Sequence, residues 1–231
     1  MLSINGRLAL WRGLRHSFFG GWPVEEGDAV ARLKSGDISG LEYLVRKYQV
    51  EAVRVAYMVC RDRPLAEDIA QTAFINVFER IGSFDDTRPF RGWFLRSVVN
   101  AALTASARPR RTVSLESTLH EDDAALARLD PALEEGIDSA EVSAAISAAL
   151  AQLPPQQRAA IVLRYYLGMN EAEMSAQLNC APGTGRWHLH RARQRLKKLL
   201  PAWVRGMFEG PEDEGSRPVP LVAQLPNGDT P

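Results

Sequence analysis

Apolar side chains recur at helical spacing through most of the chain, and this spacing restricts the possible folds more than any other feature of the sequence. Positions three and four residues apart share one face of an α-helix, so each such stripe predicts an amphipathic helix. Further helices are predicted after Pro64 and from Phe90, on either side of a turn-rich segment at residues 82–89. The sequence therefore predicts an all-α fold. The longest stripe comprises Leu41, Leu44, Val45, Tyr48, Ala52, Val55, Ala56 and Val59.

The second half of the chain carries the signals of a helix-turn-helix. Gly168 follows a predicted helix in the position that ends many helices. Asn170 and Glu173 have the spacing of a capping box, which begins a short helix. Asn179 tolerates left-handed turn geometry, and Pro182 suits the first turn of a last, longer helix. A short helix, a tight turn and a longer basic helix are typical of duplex DNA-binding modules.

Charge is divided by segment, although the 231 residues sum to zero net charge with 28 basic and 28 acidic side chains. Residues 28–111 carry 14 basic and 10 acidic side chains, residues 112–141 carry 1 and 9, and residues 142–205 carry 9 and 2. Neutrality of the whole chain therefore does not exclude nucleic acid as a partner.

Composition and charge together divide the chain into five segments. Two small helical domains are expected, and the acidic stretch between them has too few large apolar residues to form a core, so it is interpreted as a flexible linker. The predicted segments are an N-terminal arm at 1–27, a first domain at 28–107, the acidic linker at 108–141, a second domain at 142–205 and an acidic, proline-rich, disordered tail at 206–231.

The terminal arm, the cysteines and the hydropathy indicate a cytoplasmic setting. The arm lacks the uninterrupted apolar region of a signal peptide, so we interpret it as disordered or partner-binding and not as a targeting segment. The sequence contains no run of about 18 apolar residues, the length that a membrane-spanning helix needs. Cys60 and Cys180 have neither disulfide-framework nor metal-ligand spacing, as in a reduced compartment.

Known enzyme motifs are missing from the sequence. There is no phosphate-binding loop, nucleophile elbow or HExxH sequence. His188 and His190 are two residues apart and do not face one site on a helix, which disfavours zinc. The sequence therefore predicts no enzymatic activity, no cofactor and no metal.

The last helix concentrates cations on the side opposite its apolar face. Gly185, Leu189, Ala192, Leu196 and Leu199 are predicted to pack on the other helices. A dense cationic surface is either simply solvated or bound to a polyanion, and its place after a capped turn favours DNA. The first turn would reach base edges, with later cations left for phosphates. The candidate residues are Gly183, Thr184, Arg186, Trp187, His188, Arg191 and Arg193.

A second candidate surface surrounds the turn at residues 82–89, where aromatic side chains alternate with arginines. Rings can stack on unpaired bases while guanidinium groups hold phosphates. The alternative is that Trp93 and Phe94 belong to the core, which we favour for these two from this feature alone. The candidate residues are Phe84, Arg88, Arg91, Trp93, Arg96 and Asn100.

These residues fall into the pattern of a known family. Residues 65–71 (LAEDIAQ), Phe74, Phe78, residues 90–94 (FRGWF) and Asn100 resemble region 2 of bacterial sigma factors of the extracytoplasmic-function group of the sigma-70 family. Residues 153–158 (LPPQQR), 163–165 (LRY), 183–184 and 189–193 (LHRAR) are similar to region 4 of the same factors. The two resemblances span about 28–107 and 142–200, in the family's order.

The resemblance implies a non-enzymatic subunit that binds core RNA polymerase and directs promoter recognition, minus-ten melting and transcription initiation, with an anti-sigma factor as the usual partner. The aromatic and arginine surface would capture the minus-ten element as a single strand, with one base flipped out, and the last helix would recognise the minus-thirty-five element as duplex. The positions implied for polymerase binding are Glu67, Asp68, Gln71, Phe74 and Phe78.

The linker length agrees with this expectation. About 17 base pairs at 3.4 Å separate the two elements by roughly 60 Å, and some 35 residues extend to about 115 Å. The acidity of the linker suits either a mimic of RNA in a basic channel or an ordinary solubilising segment. Two other classes stay open at this stage: a helix-turn-helix regulator that binds DNA alone, and a helical adaptor with no DNA role.

Several positions depart from the family pattern. Leu65 and Thr72 replace acidic residues, which weakens the electrostatic part of polymerase docking, and phosphorylation of Thr72 would restore charge there. Gly185 stands where Val is usual. The glycine is predicted to lower helix propensity by about 1 kcal/mol and to remove a core contact. Trp187 and His188 replace smaller or basic residues, so an unusual minus-thirty-five sequence is expected.

Overall fold

The computed structural model describes residues 26–107 and 137–202, with side chains in the second range described from residue 144 onward. Helices dominate both ranges, and neither contains a strand. The all-α fold class with two helical domains is therefore confirmed. The N-terminal arm, the acidic linker and the C-terminal tail lie outside the described residues, apart from a few residues at their edges.

The first domain consists of four α-helices and one short 3₁₀ turn at Ile81–Ser83. The long helix predicted from the first apolar stripe is present as the second of these. The third helix begins where Asp62 accepts a hydrogen bond from the Leu65 amide at 3.0 Å. The helices are α1 (Glu26–Lys34), α2 (Ser39–Cys60), α3 (Arg63–Arg80) and α4 (Phe90–Ser106).

The second domain also consists of four α-helices, with a π-helical turn, Val162–Tyr166, directly after the second. Its first helix begins at Ile137, before residue 142, where the second domain was predicted to begin. The capping box of Asn170 and Glu173 forms as predicted, and Asn179 takes the expected left-handed conformation with φ of 51°. The helices are α5 (Ile137–Ala151), α6 (Pro155–Ile161), α7 (Glu171–Gln177) and α8 (Pro182–Leu199).

An aromatic cluster fills the centre of the first domain. Phe74 of α3 lies 4.6 Å from Phe94 of α4, measured between ring centroids. Phe90 lies 5.7 Å from both Phe94 and Phe84, and Tyr48 closes the cluster from α2. Full burial of such side chains stabilises a fold by roughly 1.5–3 kcal/mol each, so this cluster holds α2, α3 and α4 together.

The two domains pack directly on each other and share one hydrophobic core. Helix α6 lies against α2 and α4. Arg158 of α6 is buried, and its Nε donates a hydrogen bond of 2.7 Å to the carbonyl oxygen of Val59. Arg61 Nη1 donates to Ser147 Oγ of α5 at 2.8 Å. This contact between domains was not predicted from the sequence, which indicated only that a flexible linker joins them.

Candidate nucleic-acid and polymerase-binding surfaces

The helix-turn-helix presents the beginning of α8 to solvent. Pro182 lies in the first turn of α8, as predicted, and the side chain of Trp187 is 53% exposed. Leu199, predicted to pack, is 36% exposed, and its place in the core is taken by Leu200, because the helix ends between them. Gly183, Thr184, Arg186 and Arg191 are exposed, whereas Gly185, Leu189, Ala192 and Leu196 are buried.

Gly185 lies at the closest approach of α8 to α7. A Cβ at this position would lie 2.1 Å from Ser175 Oγ and 2.9 Å from Ser175 Cβ. Ser175 is buried, and its hydroxyl donates a hydrogen bond of 2.7 Å to the Glu171 carbonyl oxygen. The prediction that Gly185 forfeits a core contact is therefore wrong, because the Ser175 side chain already occupies that space.

Two of the predicted DNA-binding arginines are held by neighbours within the second domain. Arg186 Nε forms an ion pair of 3.1 Å with Glu171 Oε2, while its side chain stays 62% exposed. Arg193 Nε donates a hydrogen bond of 2.6 Å to Tyr165 Oη and lies over that ring at 5.6 Å. An exposed ion pair contributes little to stability, so Arg186 can exchange this partner for DNA.

His188 is only partly exposed, and burial lowers the pKa of its imidazole below the usual value. Its ring lies 5.1 Å from Trp187 in an edge-on arrangement. The neutral form is therefore favoured, and His188 Nδ1 is buried without a hydrogen-bond partner among the described residues. The His188 and Trp187 rings together give the first two turns of α8 an aromatic surface.

The aromatic residues of the second candidate surface lie mostly inside the first domain. Phe94 is fully buried, and Trp93 is partly buried against Phe84 at 5.1 Å and Phe90 at 5.8 Å. The interpretation of Trp93 and Phe94 as core residues holds for Phe94. For Trp93 it holds on the side of the ring that packs on Phe84 and Phe90. Phe84 is only 5% exposed, so the expectation that it contacts DNA directly is corrected: its ring supports the loop from within.

The polar candidates of this surface differ in their surroundings. Arg88 is exposed beside Asp85 at 3.4 Å, and Asn100 is exposed on α4. Arg91 Nε donates to Glu51 Oε1 at 2.9 Å, and the guanidinium group lies 5.6 Å from the Tyr166 ring centroid. Burial alone would lower the pKa of the Arg91 guanidinium group, but the hydrogen bond and the charge of the Glu51 carboxylate outweigh burial, so the pKa is raised above its usual value.

Arg96 lies one turn before Asn100 on α4 and is partly buried. The amide of Gln177 donates a hydrogen bond of 3.3 Å to its carbonyl oxygen. Arg96 Nε is buried with no hydrogen-bond partner in the described part of the chain. This nitrogen is therefore covered in the structure and does not face solvent.

Lys34 is a functional candidate that the sequence did not reveal. Its Nζ donates to the carbonyl oxygen of Phe84 at 2.7 Å and to Asp86 Oδ2 at 2.8 Å, which fixes the loop before α4. The two contacts span 50 and 52 residues of sequence, so no local pattern identifies them. Glu51 was missed for the same reason, because it meets Arg91 and Tyr166 only in the folded chain.

Helix α3 presents four of the five residues implied for polymerase binding on its outer side. Glu67 and Asp68 are exposed, Gln71 is partly exposed, and Phe78 is 40% exposed although it is apolar. Phe74 is only 2% exposed, so its side chain packs on Phe94 and does not reach the surface. The expectation of a direct contact through Phe74 is corrected, because the same apolar stripe that forms the helix face also forms the core.

Thr72 is exposed on the same helix, one turn from Asp68.

Within residues 26–107 and 137–202, no group of three histidine, cysteine or acidic side chains is arranged to hold a metal ion. No helix in these two ranges has the length and hydropathy needed to cross a membrane.

Comparison with known proteins agrees with the two domains. Residues 44–112 match the family sigma-70 region 2, and residues 143–196 match sigma-70, region 4. The chain is 30% identical over 189 residues to the RNA polymerase sigma-H factor of Pseudomonas aeruginosa, covering 78% of this chain and 96% of that protein. It is 28% identical over 179 residues to the ECF RNA polymerase sigma factor SigW of Bacillus subtilis, covering 74% and 94%.

A solved structure has a similar fold. The structure of CnrH in complex with the cytosolic domain of CnrY aligns with a TM-score of 0.50 and 22% identity, covering 75% of this chain and 96% of that one. The family models for region 2 and region 4 match this chain in that order. The chain belongs to the sigma-70 family and is an RNA polymerase sigma factor of the extracytoplasmic-function group.

Proposed function

We propose that this sigma factor binds core RNA polymerase through the outer face of α3 and recognises promoters through two separate surfaces. One surface is the beginning of α8, for the minus-thirty-five duplex. The other is the loop at residues 84–89 with the exposed side of α4, for the minus-ten strand. The observation that carries the proposal is α8, whose packed face is apolar and small while its exposed face is cationic and aromatic.

The first turns of α8 suit a major groove. Arg186 offers the paired donors that a guanine edge accepts, and Trp187 offers an apolar surface that suits a thymine methyl group. Arg191 and Arg193 lie further along the helix and suit phosphates. Thr184 and Gly183 allow the backbone at the helix N-terminus to approach the DNA closely, because neither has a bulky side chain.

The minus-ten surface combines a rigid aromatic support with cationic side chains. Phe84 and Trp93 hold the loop against the aromatic core, and Arg88, Arg91 and Arg96 would neutralise the phosphates of a separated strand. Asn100 has both a donor and an acceptor for the edge of a captured base. Unstacking a base costs a few kcal/mol, which these contacts must offset.

Polymerase docking would use charge and one exposed ring. Glu67 and Asp68 supply the carboxylates, Gln71 a hydrogen-bonding amide, and Phe78 an apolar contact of the kind enriched at interfaces. Phe74 would act only by holding α3 on α4. With fewer acids than the family pattern has, this surface is expected to bind polymerase more weakly.

A protein inhibitor is a further expected partner. The similar structure of CnrH was solved in complex with the cytosolic domain of CnrY. We propose that an anti-sigma protein, the usual partner that the family resemblance implies, binds this chain in the cytoplasm, where it would compete with core polymerase.

The decisive experiment is transcription in vitro with the purified chain, core RNA polymerase and a promoter library. We expect defined start sites that require both the chain and the core enzyme, and footprints over two elements about 17 base pairs apart. Protection of promoter DNA by the chain without polymerase would instead indicate a stand-alone regulator. Absence of any factor-dependent start would refute the proposal.

A further inference from the structure

Both ends of helix α1 contact the loop of the proposed minus-ten surface. At the last residue of α1, Lys34 Nζ donates to the Phe84 carbonyl oxygen at 2.7 Å and to Asp86 Oδ2 at 2.8 Å, where the loop begins. At the first residue of α1, the Glu26 carboxylate accepts a hydrogen bond from the backbone amide of Phe90, where the loop ends and α4 begins. Glu26 and Lys34 are thus the two anchors of the loop, and both belong to one helix.

Glu26 supplies the cap that the start of α4 lacks. The first amides of a helix have no acceptor within the helix, and the residue before α4 is Pro89, whose side chain cannot accept a hydrogen bond. A carboxylate near these amides is also favoured by the helix dipole. Burial alone would raise the pKa of Glu26, but hydrogen bonds from Lys47 and Tyr48 outweigh burial and lower the pKa, so the carboxylate stays ionised at neutral pH.

The position of α1 is itself fixed by close packing on α2. Ala29, Val30 and Leu33 of α1 are buried in the core. A Cβ added to Gly40 would lie 2.1 Å from the Ala29 carbonyl oxygen and 2.9 Å from the Leu33 amide nitrogen. The two helices therefore approach so closely that only glycine fits at this position. Because a helix keeps the distance between its ends, α1 also fixes the separation of the two anchors.

We propose that α1 is a positioning element for minus-ten recognition, in which Glu26 and Lys34 hold the loop at residues 84–89 in the conformation that receives the separated strand. This inference rests on the proposed function of that surface, and neither anchor needs to contact DNA. A loop that is already ordered loses less conformational entropy when the strand binds, so its contacts can discriminate between bases. Lys34 also compensates the charge of Asp86, which would otherwise repel the phosphates of the strand.

The test uses the full chain assembled with core RNA polymerase and compares Glu26→Gln, Lys34→Met and the double variant with the wild type. The first readout is the affinity for a labelled single strand with the minus-ten sequence of a promoter that the holoenzyme uses in vitro, and for the same strand with single base changes. The second readout is hydrogen exchange of the loop amides in the chain without polymerase. Glu42→Gln and Arg46→Met are the matched controls, because each breaks an ion pair within α2, away from the loop.

We expect each anchor variant to weaken binding of the preferred strand about fivefold, to reduce the preference over altered strands and to speed amide exchange along the whole loop. The double variant should lose less than the product of the two single effects, because a loop released at one end no longer benefits fully from the anchor at the other. Lys34→Arg keeps a cationic donor and should restore most of the binding. The two α2 controls should bind like the wild type, and every variant should bind core polymerase with unchanged affinity.

A second pair of variants changes the position of α1 and leaves both anchors in place. Gly40→Ala forces α1 away from α2 through the contact with the Ala29 carbonyl oxygen, whereas Gly27→Ala adds the same methyl group to α1 where none of the described residues lies within 4 Å. Gly40→Ala should reproduce the loss of base preference, and Gly27→Ala should not. Val55→Ala removes buried volume from α2 and should lower the melting temperature with an unchanged base preference.

Unchanged base preference and unchanged loop exchange in folded Glu26→Gln, Lys34→Met and Gly40→Ala proteins would overturn the positioning proposal. A loss of base preference in Val55→Ala equal to that of the anchor variants would overturn it as well, because reduced stability would then be sufficient. Failure of the wild-type holoenzyme to bind any minus-ten strand would refute the proposed function of the surface, and loop exchange would still test the two anchors.

Discussion

Ser175 of α7 and Gly185 of α8 form a matched pair in which the serine side chain fills the space that a larger residue at 185 would need. The hydroxyl of Ser175 is tied to the Glu171 carbonyl oxygen, so it cannot move aside freely. A Cβ at 185 would also lie 3.2 Å from the backbone Cα of Ser175. The angle at which α8 leaves the turn therefore depends on both residues.

Gly185→Ala should destabilise the second domain by about 1–3 kcal/mol, although alanine favours helices, because the added methyl group overpacks the contact. Combining it with Ser175→Gly removes both side-chain atoms nearest the methyl group and should recover most of the loss. Chemical denaturation of the two single variants and the double variant measures the coupling. Additive losses in the double variant would show that the two side chains do not compete for space.

Lys34→Met should slow promoter opening without weakening polymerase binding. The substitution keeps the aliphatic chain but removes the contacts of Nζ to the Phe84 carbonyl and to Asp86, so the loop before α4 loses its anchor. Arg46→Met, which breaks an exposed ion pair with Glu42 at 2.6 Å within α2, is a control away from that loop. Permanganate reactivity of minus-ten thymines in the holoenzyme complex measures opening, and equal reactivity for both variants would contradict this role.

Thr72→Glu should bind core polymerase severalfold more tightly than the wild type, whereas Thr72→Ala should bind like the wild type. The carboxylate adds negative charge near Glu67 and Asp68 on the exposed side of α3. Gln49→Glu, on the exposed side of α2, controls for a general effect of charge. Titration of labelled chain with core enzyme gives the affinities, and equal binding by the Thr72 variants would also rule out phosphorylation of Thr72 as a switch.

Arg186→Ala and Arg191→Ala should weaken DNA binding in different ways. Loss of a base contact at Arg186 should cost about 1–3 kcal/mol on the preferred minus-thirty-five sequence and reduce discrimination between sequences. Loss of a phosphate contact at Arg191 should weaken binding to all sequences alike. It should also lower the number of counterions released on binding, which sets the salt dependence of the affinity, by about one. Binding of holoenzyme to a set of single-base promoter variants at several salt concentrations separates the two effects. The same discrimination profile for both variants would contradict these roles.

Local signals in the sequence were sufficient for most of the second domain. The capping box of Asn170 and Glu173, the left-handed Asn179 and the first-turn Pro182 all act over four residues or fewer, so each can be recognised without the fold. The exposed face of α8 followed from helical spacing alone. Leu199 was misassigned because periodicity does not reveal where a helix ends.

Burial was harder to infer for the functional side chains of the first domain. Phe74 belongs to the family motif and Phe84 to the candidate minus-ten surface, but the sequence does not distinguish a ring that contacts a partner from one that supports the surface from within. The structure places both in the aromatic core and leaves Phe78 exposed. Whether a ring is buried or exposed depends on which helices cross at its position. The apolar stripe of a single helix does not contain that information.

The sequence by itself determined the helices, their caps, the division of charge and the family, because each is carried by neighbouring residues or by motifs read in order. Only the tertiary structure decided which residues meet across the chain. Lys34 reaches the loop at residues 84–89, Ser175 fills the space beside Gly185, and Tyr166 covers Arg91. These contacts join residues that are distant in sequence, and their geometry is set by how whole helices pack.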